Sequence, residues 1–201
     1  MRKRLVMFTG GVFVLTATAA WAGGIDGTGS VNCPDVGQIK IKPALVNGGT
    51  SADSLKIKTK SDSGCTGTGD GANVISAKGK GTGTGTTNDC GALIGPQPSN
   101  LTLTVKWKTA KGTPKLNPST LTITSQTGTV TGTGHGEFDV TGTVTAGSFN
   151  GNNVTAQVIT DQTAVTDILG ACGAKGLKKI TFGLKPGSDA ALGSGSFNIT
   201  P

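Results

Sequence analysis

Leu101-Thr102-Leu103-Thr104-Val105-Lys106-Trp107-Lys108 alternates apolar and polar side chains without a break. In an extended strand successive side chains point to opposite faces. Leu101, Leu103, Val105 and Trp107 therefore share one side, and Thr102, Thr104, Lys106 and Lys108 the other. One dry face and one wet face is the pattern of an antiparallel sheet, because buried parallel strands read as continuous apolar runs instead. The same period recurs outward in both directions. Upstream, Ile39 and Ile41 alternate with Lys40 and Lys42, and Leu55 and Ile57 with Lys56, Lys58 and Lys60. Ile75, Ala77, Gly79, Gly81 and Gly83 fall on one parity, with Lys78 and Lys80 on the other. Downstream, Leu121 and Ile123, then Phe138, Val140, Gly142 and Val144, then Val154, Ala156 and Val158 repeat it. Two last strands are expected at Leu177 to Lys185 and Ser194 to Thr200. Asn47-Gly48-Gly49 and Asn150-Gly151-Asn152 supply hairpin-type turns.

These runs predict an all-β fold, an antiparallel β-sandwich or small β-barrel of about 8–10 strands. Glycine weakens a strand, so the glycines on the inward parity from 79 to 83 call for strong curvature or close approach of another backbone. One segment departs from the period. Val165, Ile168, Leu169 and Cys172 fall at i, i+3, i+4 and i+7, which predicts one short helix near 163-173.

The first residues read as an export signal. Arg2, Lys3 and Arg4 precede an apolar stretch from Leu5 to Ala20, and Ala20-Trp21-Ala22 is a small-x-small cleavage site. The expected organisation is a signal peptide over 1-22, a loosely ordered glycine-rich arm over 23-37, and a single β-domain over 38-201. Past residue 22 no apolar run is long enough for a transmembrane helix. The expected location is therefore secreted, periplasmic or cell-surface, after cleavage near Ala22. Cys33, Cys65, Cys90 and Cys172 all follow that point, and in an oxidising compartment an even set reads as two disulfides. Three pairings are possible. Cys33–Cys65 with Cys90–Cys172 is preferred: the first ties the ends of a hairpin, and the second ties the helix to a distant loop, where closure entropy is larger.

Composition narrows function. The chain of 201 residues carries 34 Gly, one His, six Phe, two Trp and no Tyr, at a net charge of +7. Glycine has no three-residue period, which excludes collagen. The absence of a G-x-S-x-G elbow and of a second His argues against hydrolase triads. With both arginines in the signal and few rings for stacking, specific nucleic-acid reading is not expected. His135, Glu137 and Asp139 share one strand face and are a candidate metal or acid–base set. Side chains at i and i+2 sit about 7 Å apart, wide for two ligands of one ion, which favours a plain solvent-facing strand. No cofactor is expected.

The lysines carry more. Between residues 38 and 115 there are 11 Lys against four Asp. Lys40, Lys42, Lys56, Lys58, Lys60, Lys78, Lys80, Lys106 and Lys108 all occupy the outward parity of their runs. If the strands are neighbours, they make one cationic face suited to an anionic cell-envelope polymer or a lipid surface. The competing account is solubility and protection of strand edges. The functional expectation is a non-enzymatic binding or structural β-domain at or outside the cell surface. The alternatives are a small-ligand-binding β-barrel and a metal-dependent enzyme using the His135/Glu137/Asp139 strand. The stretch Trp107-Lys108-Thr109-Ala110-Lys111-Gly112, with Gly142 to Phe149 further on, resembles uncharacterised small secreted bacterial all-β proteins. That resemblance implies an exported β-domain and brings no activity or site residues with it.

Overall fold

The alternating runs become strands in the computed structural model, which describes residues 23–130, 136–160, 172, 175–183 and 195–201. In chain order these are β1 (Val31–Pro34), β2 (Val36–Leu45), β3 (Asp53–Ser61), β4 (Thr66–Gly67), β5 (Val74–Gly85), β6 (Gly95–Thr109), β7 (Ser119–Val130), β8 (Gly136–Ala146), β9 (Asn153–Ile159), β10 (Leu177–Phe182) and β11 (Ser196–Thr200). Short 3-10 turns at Gly69–Asn73 and Cys90–Leu93 lead into β5 and β6. The fold is all-β and sandwich- or barrel-like, as the periodicity predicts. The signal segment, His135 and the helix expected near 163-173 lie outside the described residues, apart from Cys172.

One antiparallel ladder runs β10-β2-β3-β5-β6-β7-β8-β9-β11-β1-β4. The strands next to its two ends, β1 and β2, are consecutive in the chain, with only Asp35 between them. β11 pairs with β9 on one edge and with β1 on the other, for example Ile199 with Val154 and with Val31. β10 pairs with β2, and Phe182 bridges to Thr160 beyond the end of β9. That bridge continues the edge where β11 pairs with β9, and the open sheet curls toward a barrel with β10 and β4 as its end strands. Residues 23–37, expected as a loose arm, contain β1 and the start of β2. Ahead of β1, Ile25 N–H donates to the Lys115 carbonyl at 2.8 Å, and Gly27 accepts from Phe149 N–H at 2.7 Å. Glycine-rich sequence here is tied down by backbone pairing rather than left free.

Inward positions hold the core as the alternation requires: Leu101, Val105, Leu121, Ile123, Val144, Val154 and Ile199 are all buried. One phase is wrong in the sequence reading. A register shift between Val74 and Ser76 turns Val74 inward and leaves Ile75 40% exposed, as a bulge does when it adds one residue to a strand. The inward glycines of β5 have a steric cause. A Cβ on Gly83 would fall 2.0 Å from Leu101 Cδ2, and one on Gly81 2.7 Å from Leu103 Cγ. The leucines of β6 fold over β5 into that room. Trp107 is a core residue, edge-on to Phe149 at 5.4 Å, and its Nε1–H donates to Ser119 Oγ at 2.9 Å. Disulfides join Cys33 to Cys65 and Cys90 to Cys172, the preferred pairing. Cys33 lies on β1 and Cys65 just before β4, so the first links neighbouring strands of the ladder's end.

Candidate functional site: a lysine-lined groove

Parity alone sets the lysines outward; register decides which of them meet. β2, β3, β5 and β6 are consecutive in the ladder, and their pairing aligns lysines in rows across the strands. One row reads Lys179, Lys40, Lys56, Thr82 and Thr102 from β10 to β6. The next reads Gln38, Lys58, Lys80 and Thr104. A third reads Lys60, Lys78 and Lys106. Lys42 opposite Ser54 and Lys108 opposite Ser76 flank these rows at either end of the face. All nine expected lysines are exposed on one sheet face, and Lys179 of β10 joins them. Sequence reading missed Lys179, because period two counted from the inward Leu177 puts it inward, and only the register shift between Leu177 and Lys179 turns it onto the outer face.

Directly opposed side chains have Cβ atoms about 5 Å apart, and like charges so placed oppose folding. Five such pairs occur: Lys40 with Lys179, Lys40 with Lys56, Lys58 with Lys80, Lys60 with Lys78, and Lys78 with Lys106. Among the described residues one ion pair relieves them, Lys60 Nζ to Asp62 Oδ2 at 2.6 Å. That hydrogen bond holds the Asp62 carboxyl below the ordinary carboxylate range, and the charges of Lys60 and Lys78 add to it. Lys58, Lys60, Lys78, Lys80 and Lys106 line an open groove of about 1100 Å³ whose floor includes Gly79, Gln38 and Thr104. Lys40, Lys42, Lys56 and Lys108 sit on the same face outside this lining. Away from the groove the face turns neutral, through the aligned Thr102, Thr122 and Thr143 of β6, β7 and β8.

Edge protection does not account for these lysines. Lys40, Lys56, Lys58, Lys60, Lys78, Lys80 and Lys106 stand on strands that are hydrogen-bonded on both sides. The other candidate set fares differently. Glu137 accepts a hydrogen bond from Gln157 Nε2, and Asp139 is exposed two residues along the same strand. Among the described residues no group of three or more His, Cys, Asp or Glu side chains is placed to hold a metal ion.

Asp35, which sequence reading passed over, is the most perturbed acid described. It sits at the junction of β1 and β2, where Gly183 and Gly195 approach its carbonyl. Burial raises its carboxyl to about 7, against the opposing effect of hydrogen bonds from the Thr59 hydroxyl and the Val36 N–H. No local pattern marks a single Asp between two short strands, so nothing in the sequence pointed to it. No protein-family model, curated protein or solved structure matches the chain.

Proposed function

We propose that the protein is a non-enzymatic binding domain that holds an anionic polymer in the groove of Lys58, Lys60, Lys78, Lys80 and Lys106. The observation that carries this reading is the set of five directly opposed lysine pairs, four of them wholly on strands paired on both sides. Such pairs cost stability and one exposed ion pair does little to relieve them, so a bound polyanion is the component that makes the arrangement favourable. Neighbouring strands lie about 4.8 Å apart and alternate residues along a strand about 7 Å apart, a grid matched to a chain of closely repeating carboxylates or phosphates. A polymer is favoured over a lipid surface. Membrane-surface binders add aromatic or large apolar side chains to their basic face, and the lysine rows here hold Lys, Thr, Ser and Gln with a single apolar member, Val36 opposite Lys60. Two disulfides are consistent with an extracellular or periplasmic site of action.

The test is the double variant Lys58→Glu/Lys78→Glu, which turns three of the like pairs into opposite pairs. Its thermal midpoint should equal or exceed that of the parent, since each converted pair is worth roughly 0.2–1 kcal/mol. Its affinity for immobilised polyphosphate or polyglutamate should fall at least about tenfold at low salt, and the parent's own binding should fade as salt shortens the screening length. Undiminished binding by the folded double variant refutes the reading. Binding to anionic vesicles but to neither polymer would move the assignment to a lipid surface.

A further inference from the structure

The core is divided. One cluster centres on Leu121, Val144, Phe149 and Ile199, and a second on Ile41, Leu45, Phe138 and Ile180. Ile39 and Leu55 touch both. Inward-facing apolar side chains of a curled sheet are ordinarily fully buried. Here Ile39, Leu55, Leu103, Val140 and Val158, all on the inward parity of five different strands, are only half-buried. What they face is a cavity of about 220 Å³ between the clusters, lined by side chains from β2, β3 and β5 through β11 and open to solvent at the end where Thr84, Thr86 and Asn100 are exposed. Its wall is chiefly aliphatic and aromatic, with Asp35, Asp53, Asp89, Asn100 and Gln126 as the larger polar members. Asp53 already accepts the Gly85 N–H at 2.6 Å.

We propose that this cavity is a binding site for a small uncharged apolar molecule of about nine non-hydrogen atoms. A dry cavity of about 150 Å³ takes up benzene, and about 220 Å³ scales in proportion to that size. The wall selects against an anion, which would lose its hydration among aliphatic side chains and carboxylates, and the predominance of apolar groups favours an uncharged ligand. The cavity is held by the curled strands, so it stands independently of the lysine groove on the opposite face of the sheet. Ala156 marks its wall: it is 9% exposed, lines the cavity, and pairs with Val140 and Phe197 across its two neighbours. A larger side chain there occupies ligand space without touching the lysines.

Naphthalene, with ten carbons, is the probe, and pyrene is the oversized control. Thermal melts are run on the disulfide-intact protein in high salt, where the lysine face is screened. Naphthalene should raise the melting midpoint of the parent by mass action on the folded state, and pyrene should not. Ala156→Leu should melt at or above the parent and lose the naphthalene response. Should that variant fail to fold, methyl NMR of the parent decides: naphthalene must shift Leu55, Leu103 and Val140. A parent indifferent to naphthalene, a response retained in folded Ala156→Leu, or shifts confined to the exposed Ile25 and Ile94 would each overturn the assignment.

Discussion

Asp35 makes the stability of this protein pH-dependent in the sense opposite to that of most carboxylates. In the folded chain its carboxyl titrates at about 7 rather than 3.8. Between those values the folded state holds a proton that the unfolded state has released. Stability from this group is therefore fully present below pH 3.8 and is lost as pH rises through about 7. At 1.36 kcal/mol for each tenfold change in proton affinity, the whole effect reaches about 4 kcal/mol. Asp35→Asn removes it, because the amide stays neutral at every pH and keeps an oxygen to accept the Val36 N–H and the Thr59 hydroxyl. The variant should match the parent near pH 4 and exceed it at pH 8 by up to about 4 kcal/mol, or roughly 8–16 °C in melting midpoint for a chain of this size. Urea unfolding followed by Trp107 emission, at steps from pH 4 to pH 8 with the disulfides intact, measures the difference. Every other titrating group acts equally on both proteins, so the gap between their curves isolates Asp35. Parallel curves, or an Asn variant that is the weaker at pH 8, would refute the claim that burial governs this carboxyl.

Two further expectations concern the frame. A Cβ on Gly142 would stand 2.1 Å from the Thr122 carbonyl oxygen and 2.8 Å from Ile123 Cα, both backbone of a strand paired on two sides, so Gly142→Ala should lower the unfolding free energy measured by urea titration by about 1–3 kcal/mol. Replacing Cys90 and Cys172 with Ser opens a separation of 82 residues and should cost about 4.5 kcal/mol, against about 3.7 for the separation of 32 closed by Cys33 and Cys65; the order of the two melting midpoints checks the loop-entropy account.

What could be read in the sequence was whatever a two-residue period encodes. The stretch from Leu101 to Lys108 declared its two faces, and the structure buries Leu101 and Val105 and exposes Lys106 and Lys108 accordingly. The outward lysines followed from the same parity. Their row alignment did not, since Lys78 meets both Lys60 and Lys106 only once register is set by turns and bulges. The Val74 bulge reversed Ile75 for a related reason: one inserted residue flips parity and leaves no mark on composition. β1 was hidden in a glycine-rich stretch because its partners, residues 196–199, lie at the other end of the chain. The divided core was foreshadowed by the scarcity of large inward residues, but its position required knowing that Ile39, Leu55, Val140 and Val158 face one another.

The pairing of β1 with β11 has a consequence for how the chain acquires its shape. The sheet is complete only when Ser196–Thr200 settles between β1 and β9. Without that strand, β1 and β9 each lose the partner on one edge. Contacts so distant in sequence must repay a large loop-closure entropy before they stabilise anything, which places folding in the millisecond-to-second range typical of barrels rather than the microseconds of helical bundles. Deleting Ser196–Thr200 should therefore leave β1 and β9 without their shared partner and make the protein more sensitive to proteolysis.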